Sequence, residues 1–320
     1  MTSLVCPACR ESAPPQPLAS VPGHLRCARC DAVYPVAVAP IVAHPLAPFV
    51  RALQPDLAAP SPAAARALVP FLADDDPLAR RLQRVSVAAR SHFGDRLSPR
   101  QPAAWSTFAP FLELLPGGEV VELGCGAGRV TLELANAKRS VVAIDSDPAV
   151  LALATSVVER GEAEVLLRRV GADYAPARIV APELQGRPVT FALADALNPP
   201  LPAESFDAVV ALNLLDNVRV PSTLVGQVDA LLKPGGLALF STPYAWDSAH
   251  TDDGERLGGA PGRPFGGRPE DELRRLLSGA GQLPWSFEIV REDERVPWTL
   301  VRDERCRFQY ELHVVVARKR

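Results

Sequence analysis

The stretch Val120-Val121-Glu122-Leu123-Gly124-Cys125-Gly126-Ala127-Gly128-Arg129, followed by Val141-Val142-Ala143-Ile144-Asp145, decides the fold. An apolar run ends in an acid, glycines alternate through a tight turn, and Val130, Leu132 and Leu134 begin a helical pattern. A second apolar run then ends in another acid. Together these make the first βαβ of a doubly wound α/β sheet, which takes a nucleoside-bearing ligand at the carboxyl ends of its strands. Glycine lets the backbone approach the ligand and adopts positive φ at little cost. Asp145, after the second strand, is placed to accept hydrogen bonds from ribose hydroxyls.

Spacing selects the nucleoside. A dinucleotide fingerprint would put its third glycine at position 129, where Arg129 stands. The pattern Glu-x-Gly-x-Gly-x-Gly instead resembles motif I of the class I S-adenosylmethionine (SAM) methyltransferases. SAM has no pyrophosphate and carries an ammonium, so Glu122 suits its amino-acid end and would repel a phosphate. An ordinary strand–turn–helix can also contain such a glycine-rich turn. Three further segments follow in the family's order. Val189-Thr190-Phe191-Ala192-Leu193-Ala194-Asp195-Ala196 reads as a third strand ending in an acid. Its resemblance to the family's adenine-binding segment makes Asp195, with Ala196, the partner of the adenine edge. Ser205-Phe206-Asp207-Ala208-Val209-Val210-Ala211 is a fourth strand, with Asn213 in the cofactor-facing loop after it. The run from Leu231 to Phe240 is a helix end, turn and fifth strand. The expected fold is thus a Rossmann-like class I methyltransferase with a mostly parallel sheet and an antiparallel last strand (about 309–317). Residues 160–188 read as an insertion before the third strand, packed near the substrate entrance.

Composition fits a soluble, cytoplasmic enzyme. The 320 residues allow one large and one small domain, and 48% hydrophobic content can build a core. No apolar run approaches the ~18 residues of a membrane span, and Pro7, Arg10 and Glu11 interrupt any secretory segment after Met1. A net charge of −3 provides no global field for nucleic acid. The 33 prolines, with abundant Ala and Arg, reflect coding bias rather than disorder.

Cys6-Pro7-Ala8-Cys9 and Cys27-Ala28-Arg29-Cys30 form two C-x-x-C knuckles with zinc-ribbon spacing. Disulfides are the alternative, but nothing points to export. Four cysteines leave no open coordination position, so Zn2+ would be structural, and a unit of ~45 residues needs it to fold. Cys30-Asp31-Ala32-Val33-Tyr34-Pro35-Val36 and Ala39-Pro40-Ile41-Val42 resemble the small zinc-ribbon proteins that activate tRNA, ribosomal-RNA and release-factor methyltransferases. The resemblance implies a stabilising module acting in cis; a substrate-docking module for RNA or protein competes with it. The expected organisation is a zinc ribbon over 1–45, a helical lead-in over 46–100 and the methyltransferase domain over 101–320. In the lead-in, Leu78, Leu82, Val85 and Ala89 recur at helical spacing after the start signal Asp74-Asp75-Asp76-Pro77. His92, after that helix, could touch substrate, with a solvated loop histidine as the preferred reading.

The carboxyl half narrows the acceptor. Ala211-Leu212-Asn213-Leu214-Leu215-Asp216-Asn217-Val218, Phe240-Ser241-Thr242-Pro243-Tyr244-Ala245-Trp246, Leu257-Gly258-Gly259, Val296-Pro297-Trp298-Thr299-Leu300-Val301-Arg302 and Arg307-Phe308-Gln309-Tyr310-Glu311 follow in order. They resemble the methyltransferase domain of ovothiol biosynthesis, a 4-mercaptohistidine N-methyltransferase, over roughly 92–317. Asn217-Val218 and Tyr310 depart from that family's pattern. The resemblance implies a small imidazole or amino-acid-type acceptor. It makes Asp216 and Tyr244 catalytic, with Trp246, Trp298, Arg302, Gln309 and Tyr310 lining the substrate pocket. A carboxylate such as Asp216 would fix the imidazole tautomer, whereas the plain alternative makes it a helix cap. A SAM-binding scaffold without catalysis is the remaining class.

Overall fold

The computed structural model describes residues 4–10, 14–22, 24–35, 41–42, 76–99, 101, 104–259, 262, 267–280 and 283–320. The chain begins with a small antiparallel sheet of β1 (Leu18–Val21), β2 (His24–Cys27) and β3 (Val33–Pro35). Cys6, Cys9, Cys27, Leu25 and Tyr34 belong to one buried cluster with Leu201 and Phe206 of the large domain. Strand β4 (Ile41–Val42), expected to complete the ribbon, instead joins the edge of the large sheet, with Ile41 opposite Ala192 and Val42 opposite Leu193. The two units therefore share a sheet. Val36 and residues 39–40 lie outside the described residues, as does the lead-in from 46 to 75.

Helix α1 (Pro77–Leu97) starts where the sequence signals it: Asp76 accepts from the Leu78 N–H at 2.8 Å and Pro77 occupies the first turn. It continues through His92, which the sequence reading placed in a loop. Then come α2 (Ala104–Leu112), β5 (Gly118–Leu123), α3 (Arg129–Leu134), β6 (Arg139–Asp145) and α4 (Pro148–Arg160). The insertion is a hairpin of β7 (Glu162–Val170) and β8 (Asp173–Val180). It lies behind α1 rather than at an entrance: the Arg168 N–H donates to Ser86 Oγ at 2.8 Å, and Arg90 donates to the Arg168 carbonyl at 3.1 Å. The large sheet is completed by β9 (Val189–Leu193), β10 (Phe206–Leu212), β11 (Leu232–Thr242), β12 (Phe287–Val301) and β13 (Arg307–Lys319), with α5 (Pro221–Leu231) and α6 (Pro269–Leu277) between them.

The sheet order is β12-β13-β11-β10-β5-β6-β9-β4, and β13 runs against both of its neighbours. This is the Rossmann-like methyltransferase fold. Side chains alternate across it, as the period of two requires. Val120, Val210, Leu239 and Val314 pack toward α2 and α3, while Val121, Val209, Phe240 and Val315 pack toward α5 and α6. β12 and β13 continue past the paired part of β11, so their ends form an arm above the strand tips. At the arm's turn the Glu304 N–H donates to the Arg169 carbonyl of the inserted hairpin at 3.2 Å.

Arg129 pins the front of the domain. Its side chain is 2% exposed and pairs with Asp95 of α1 at 2.9 Å and with Glu133 at 2.8 Å. The guanidinium also lies 5.6 Å from the Phe93 ring and 5.8 Å from the Trp105 ring. Removing it leaves two half-buried carboxylates, Asp95 and Glu133, and two ring faces without their cation. Arg129→Ala is expected to lower the unfolding free energy by about 3–5 kcal/mol, measured by urea denaturation.

Candidate functional site

A doubly wound sheet opens a crevice where the chain reverses its direction of strand addition, here between β5 and β10. A cavity of about 500 Å³ occupies this point, with Glu122, Gly124, Leu212 and Asn213 at its floor. Gly124, Gly126 and Gly128 have φ of 71°, 53° and 76°, so the turn needs glycine at each. A Cβ on Gly126 would also come within 2.8 Å of His92 Nε2. Asp145 braces the turn, accepting from the Gly126 N–H at 2.8 Å and from the Asp147 N–H at 2.9 Å. Burial raises its pKa above the usual carboxylate range. Asp195 accepts from the Leu197 N–H at 2.8 Å, which folds the loop carrying Ala196. Asn213 is held at φ 49°, with its Oδ1 accepting from Ser241 Oγ at 2.8 Å.

Glu122 is 2% exposed and accepts from the Thr131 hydroxyl. Burial, opposed by that hydrogen bond and reinforced by Asp145, raises its pKa to about 8. At neutral pH the group is therefore mostly a neutral acid.

The roof comes from residues the motifs did not contain. Arg80, Gln83, Arg84, Val87, Ala88, Ser91 and His92 form one stripe of α1 facing the cavity. Their spacing is that of a helical face, but their mixed chemistry hides it from a hydrophobic count. Phe108 of α2 and Trp298 and Leu300 of the arm close the remaining wall. His92 is half-buried, its Nδ1 accepts from the Arg129 N–H at 3.3 Å, and burial lowers its pKa to about 4.

The substrate residues expected to share one pocket divide between the two faces of the sheet. Trp298 lines the cavity, with its ring 5.7 Å from that of Tyr310. Tyr244 and Trp246, 6.1 Å apart, pack on the opposite face. There the Tyr244 hydroxyl meets His313 Nδ1 at 2.6 Å, and His313 Nε2 meets Glu292 at 2.7 Å. Asp216 is 2% exposed and is absent from the cavity wall. Its carboxylate accepts from the Ala245 N–H at 3.0 Å and from Thr242 Oγ1 at 3.3 Å, tying the loop after β10 to the loop after β11. Gln309 is exposed opposite Thr299, and Arg302 pairs with Asp303 at 3.1 Å at the arm's turn. Neither lines the cavity.

On the Tyr244 side of the sheet, the thiol sulfurs of Cys6, Cys9, Cys27 and Cys30 all lie within 4.8 Å of one another. The Tyr34 hydroxyl is 3.2 Å from Cys6 Sγ. Tetrahedral zinc with ~2.3 Å bonds separates its sulfurs by about 3.8 Å, so the donor set and its spacing suit that ion.

Residues 121–240 match the family described as "Methyltransferase domain". The chain carries a SAM-dependent methyltransferase domain. It is 31% identical over 128 residues to a ubiquinone biosynthesis O-methyltransferase of Pseudomonas fluorescens (strain SBW25), across 40% of this chain and 45% of that protein. A protein of the same name from Methylococcus capsulatus is 30% identical over 128 residues, 40% of this chain and 44% of its own. The chain thus spans less than half the length of these curated relatives. Similar solved structures include magnesium protoporphyrin IX methyltransferase of Synechocystis PCC 6803 with bound SAM: 16% identity, 85% of this chain, 96% of that one, TM-score 0.41. A SAM-dependent methyltransferase of Methanosarcina mazei gives 22% identity, 66% and 96% coverage and a TM-score of 0.41. Among the described residues no helix is long and apolar enough to cross a membrane.

A carboxyl whose pKa rises on folding costs stability as pH climbs from its unfolded value toward its folded one, because only the folded state keeps the proton. For Glu122 that window runs from 4.5 to about 8. Glu122→Gln should therefore melt above the native protein, with a gap that widens from pH 5 to pH 8 and then levels, read by thermal denaturation.

Proposed function

We propose that this protein transfers the methyl group of SAM to a small nucleophile, with an imidazole or related amino-acid-type nitrogen as the acceptor class. The observation that carries the reading is the single cavity at the strand tips, which joins Glu122, Gly124 and Asn213 to an aromatic wall of Phe108 and Trp298. This partly open space brings Glu122, Gly124 and Asn213 together with room for an acceptor, while Asp145, Asp195 and Ala196 stand outside its wall. Bound SAM supplies an electrophilic methyl on a sulfonium. In this reading Asp145 takes the ribose hydroxyls, Asp195 and Ala196 the adenine edge, Glu122 the ammonium, and Asn213 the loop beside the methyl.

The remaining work is alignment and exclusion of water. The α1 stripe and the arm cover the cavity, and the Trp298 face can stabilise positive charge. Asp216 acts here as a positioning residue, because its oxygens hold Ala245 and Thr242. Tyr244 and Trp246 support the same loop from the far face, and Tyr310 stacks behind Trp298. Arg302 and Gln309 serve the arm rather than the reacting atoms. The proposed organisation keeps a zinc ribbon over about 1–45, a lead-in over 46–100 that ends in α1, and the catalytic domain over 101–320. Structural zinc on Cys6, Cys9, Cys27 and Cys30 would fix the ribbon against the loop after β9, where the Val5 N–H donates to the Pro200 carbonyl at 2.9 Å.

A macromolecular acceptor is the second reading, favoured by the ribbon. Tritiated-methyl transfer from SAM into a metabolite pool, bulk RNA and bulk protein separates the two. Label should enter imidazole or amino-acid compounds, and Asp145→Ala should reduce it at least about tenfold by weakening SAM. Label confined to phenolic metabolites moves the acceptor atom to oxygen; label confined to RNA or protein overturns the small-molecule reading. No label in any pool, with SAM binding intact, favours a scaffold. For the ribbon, elemental analysis of purified protein should find one zinc per chain. Replacing Cys27 and Cys30 by serine should abolish it and lower the melting temperature; equal melting with and without chelator would contradict structural zinc.

A further inference from the structure

The wall of the cavity is rich in hydrogen-bond donors and short of anions. Arg80 and Arg84 stand one turn apart on the stripe of α1 that faces it, with Gln83 beside them. Among the described residues no hydrogen bond or ion pair engages the Arg80 side chain. Asp147 accepts from Arg84 Nε at 2.7 Å, which fixes that guanidinium and leaves its terminal nitrogens to donate elsewhere. In the same wall Ser91 is 7% exposed with its hydroxyl unpartnered, and the buried Trp298 Nε1 also has no partner. Buried polar groups without partners are rare in native folds, and an indole N–H can only donate. Glu122 is the one acid in this wall, and its raised pKa leaves it mostly protonated at neutral pH. A cleft lined this way draws in anions. The donor is not the anion that fits the arginines. SAM has its carboxylate on the methionine end, which the proposed reading puts at the glycine turn. His92 stands against that turn, its Nε2 2.8 Å from where a Cβ on Gly126 would lie. At 1.5 Å per residue, Arg84 and Arg80 lie about 12 and 18 Å from His92 along α1.

We infer that Arg80 and Arg84 form an anion subsite for the methyl acceptor, which is therefore a small molecule carrying a carboxylate or a phosphate. This subsite rests on the proposed reading of the cavity as the place of methyl transfer, and it adds the acceptor's charge to that reading. A guanidinium gives either anion two parallel charge-assisted hydrogen bonds. The outer end of the α1 stripe thus anchors the acceptor, and the Ser91 hydroxyl and Trp298 Nε1–H donate to its uncharged polar atoms.

The test follows tritiated-methyl transfer from SAM by the full chain into three metabolite pools: untreated, esterified in acidic methanol to mask carboxylates, and treated with phosphatase. Label should fall to background in the esterified pool for a carboxylate acceptor, and return on saponification. It should fall in the phosphatase-treated pool for a phosphate acceptor. Equal label in all three pools overturns the subsite. With the untreated pool, Arg80→Gln should raise the pool concentration for half-maximal labelling about tenfold or more, as expected for a lost hydrogen bond to a charged group. Its affinity for S-adenosylhomocysteine, read by titration calorimetry, should stay unchanged. Arg80→Lys, which keeps the charge, should recover most of the loss. Unchanged half-saturation in Arg80→Gln, or an equal loss of S-adenosylhomocysteine affinity, overturns the subsite. Absence of label from every pool with the native protein overturns the small-molecule methyl-transfer reading beneath it.

Discussion

A single buried guanidinium organises the front of this molecule. In dinucleotide-binding folds the third glycine of the fingerprint allows close helix–strand packing. Here Arg129 takes that position, and its side chain turns sideways into a nest of Asp95, Glu133, Phe93 and Trp105. An unpaired charge at 2% exposure would be prohibitively costly, so α1 and α2 must dock wherever the glycine turn is formed. The turn thereby recruits its own roof. The same residue's N–H fixes the tautomer of His92, so one position sets both the cover and a hydrogen-bond donor within it.

The central strands were legible in the sequence because their ends carry chemistry that few other structures need. Glu122, the glycines, Asp145 and Asp195 all fall at strand tips on one edge of the sheet, as their spacing implied. The roof was not legible. The cavity-facing stripe of α1 mixes two arginines, a glutamine, a serine and a histidine with Val87 and Ala88, so hydrophobic periodicity pointed to the opposite stripe. That opposite stripe, Leu82 with Ala89, packs toward the inserted hairpin and α4. His92 closes the first part of α1: the backbone leaves helical geometry at Phe93 (φ −122°, ψ 27°) and the helix then resumes to Leu97.

The carboxyl-terminal blocks teach a second lesson about period two. Grouping Tyr244, Trp246, Trp298 and Tyr310 around one methyl group ignored strand parity. On β13, Leu312 and Val314 point to the Trp298 side, and His313 points to the Tyr244 side. The sheet divides the aromatic residues, and Asp216 joins two loops instead of facing open space. The amino-terminal module was read from cysteine spacing and from its resemblance to zinc-ribbon proteins. Its cysteine spacing identified the knuckles, yet β4 crosses the expected frontier to pair with β9. Pairing between chain-distant strands leaves no local signature in so short a segment.

The central claim is that the donor binds beneath α1 at the tips of β5 and β10. Amide hydrogen exchange, followed by mass spectrometry with and without saturating SAM, tests it most directly. The account predicts slowed exchange in the glycine turn (122–128), in α1 from 80 to 95 and in the 195–201 loop, with the far-face hairpin of β1 and β2 unchanged. Protection absent from the glycine turn, or confined to the Tyr244 face, would contradict it.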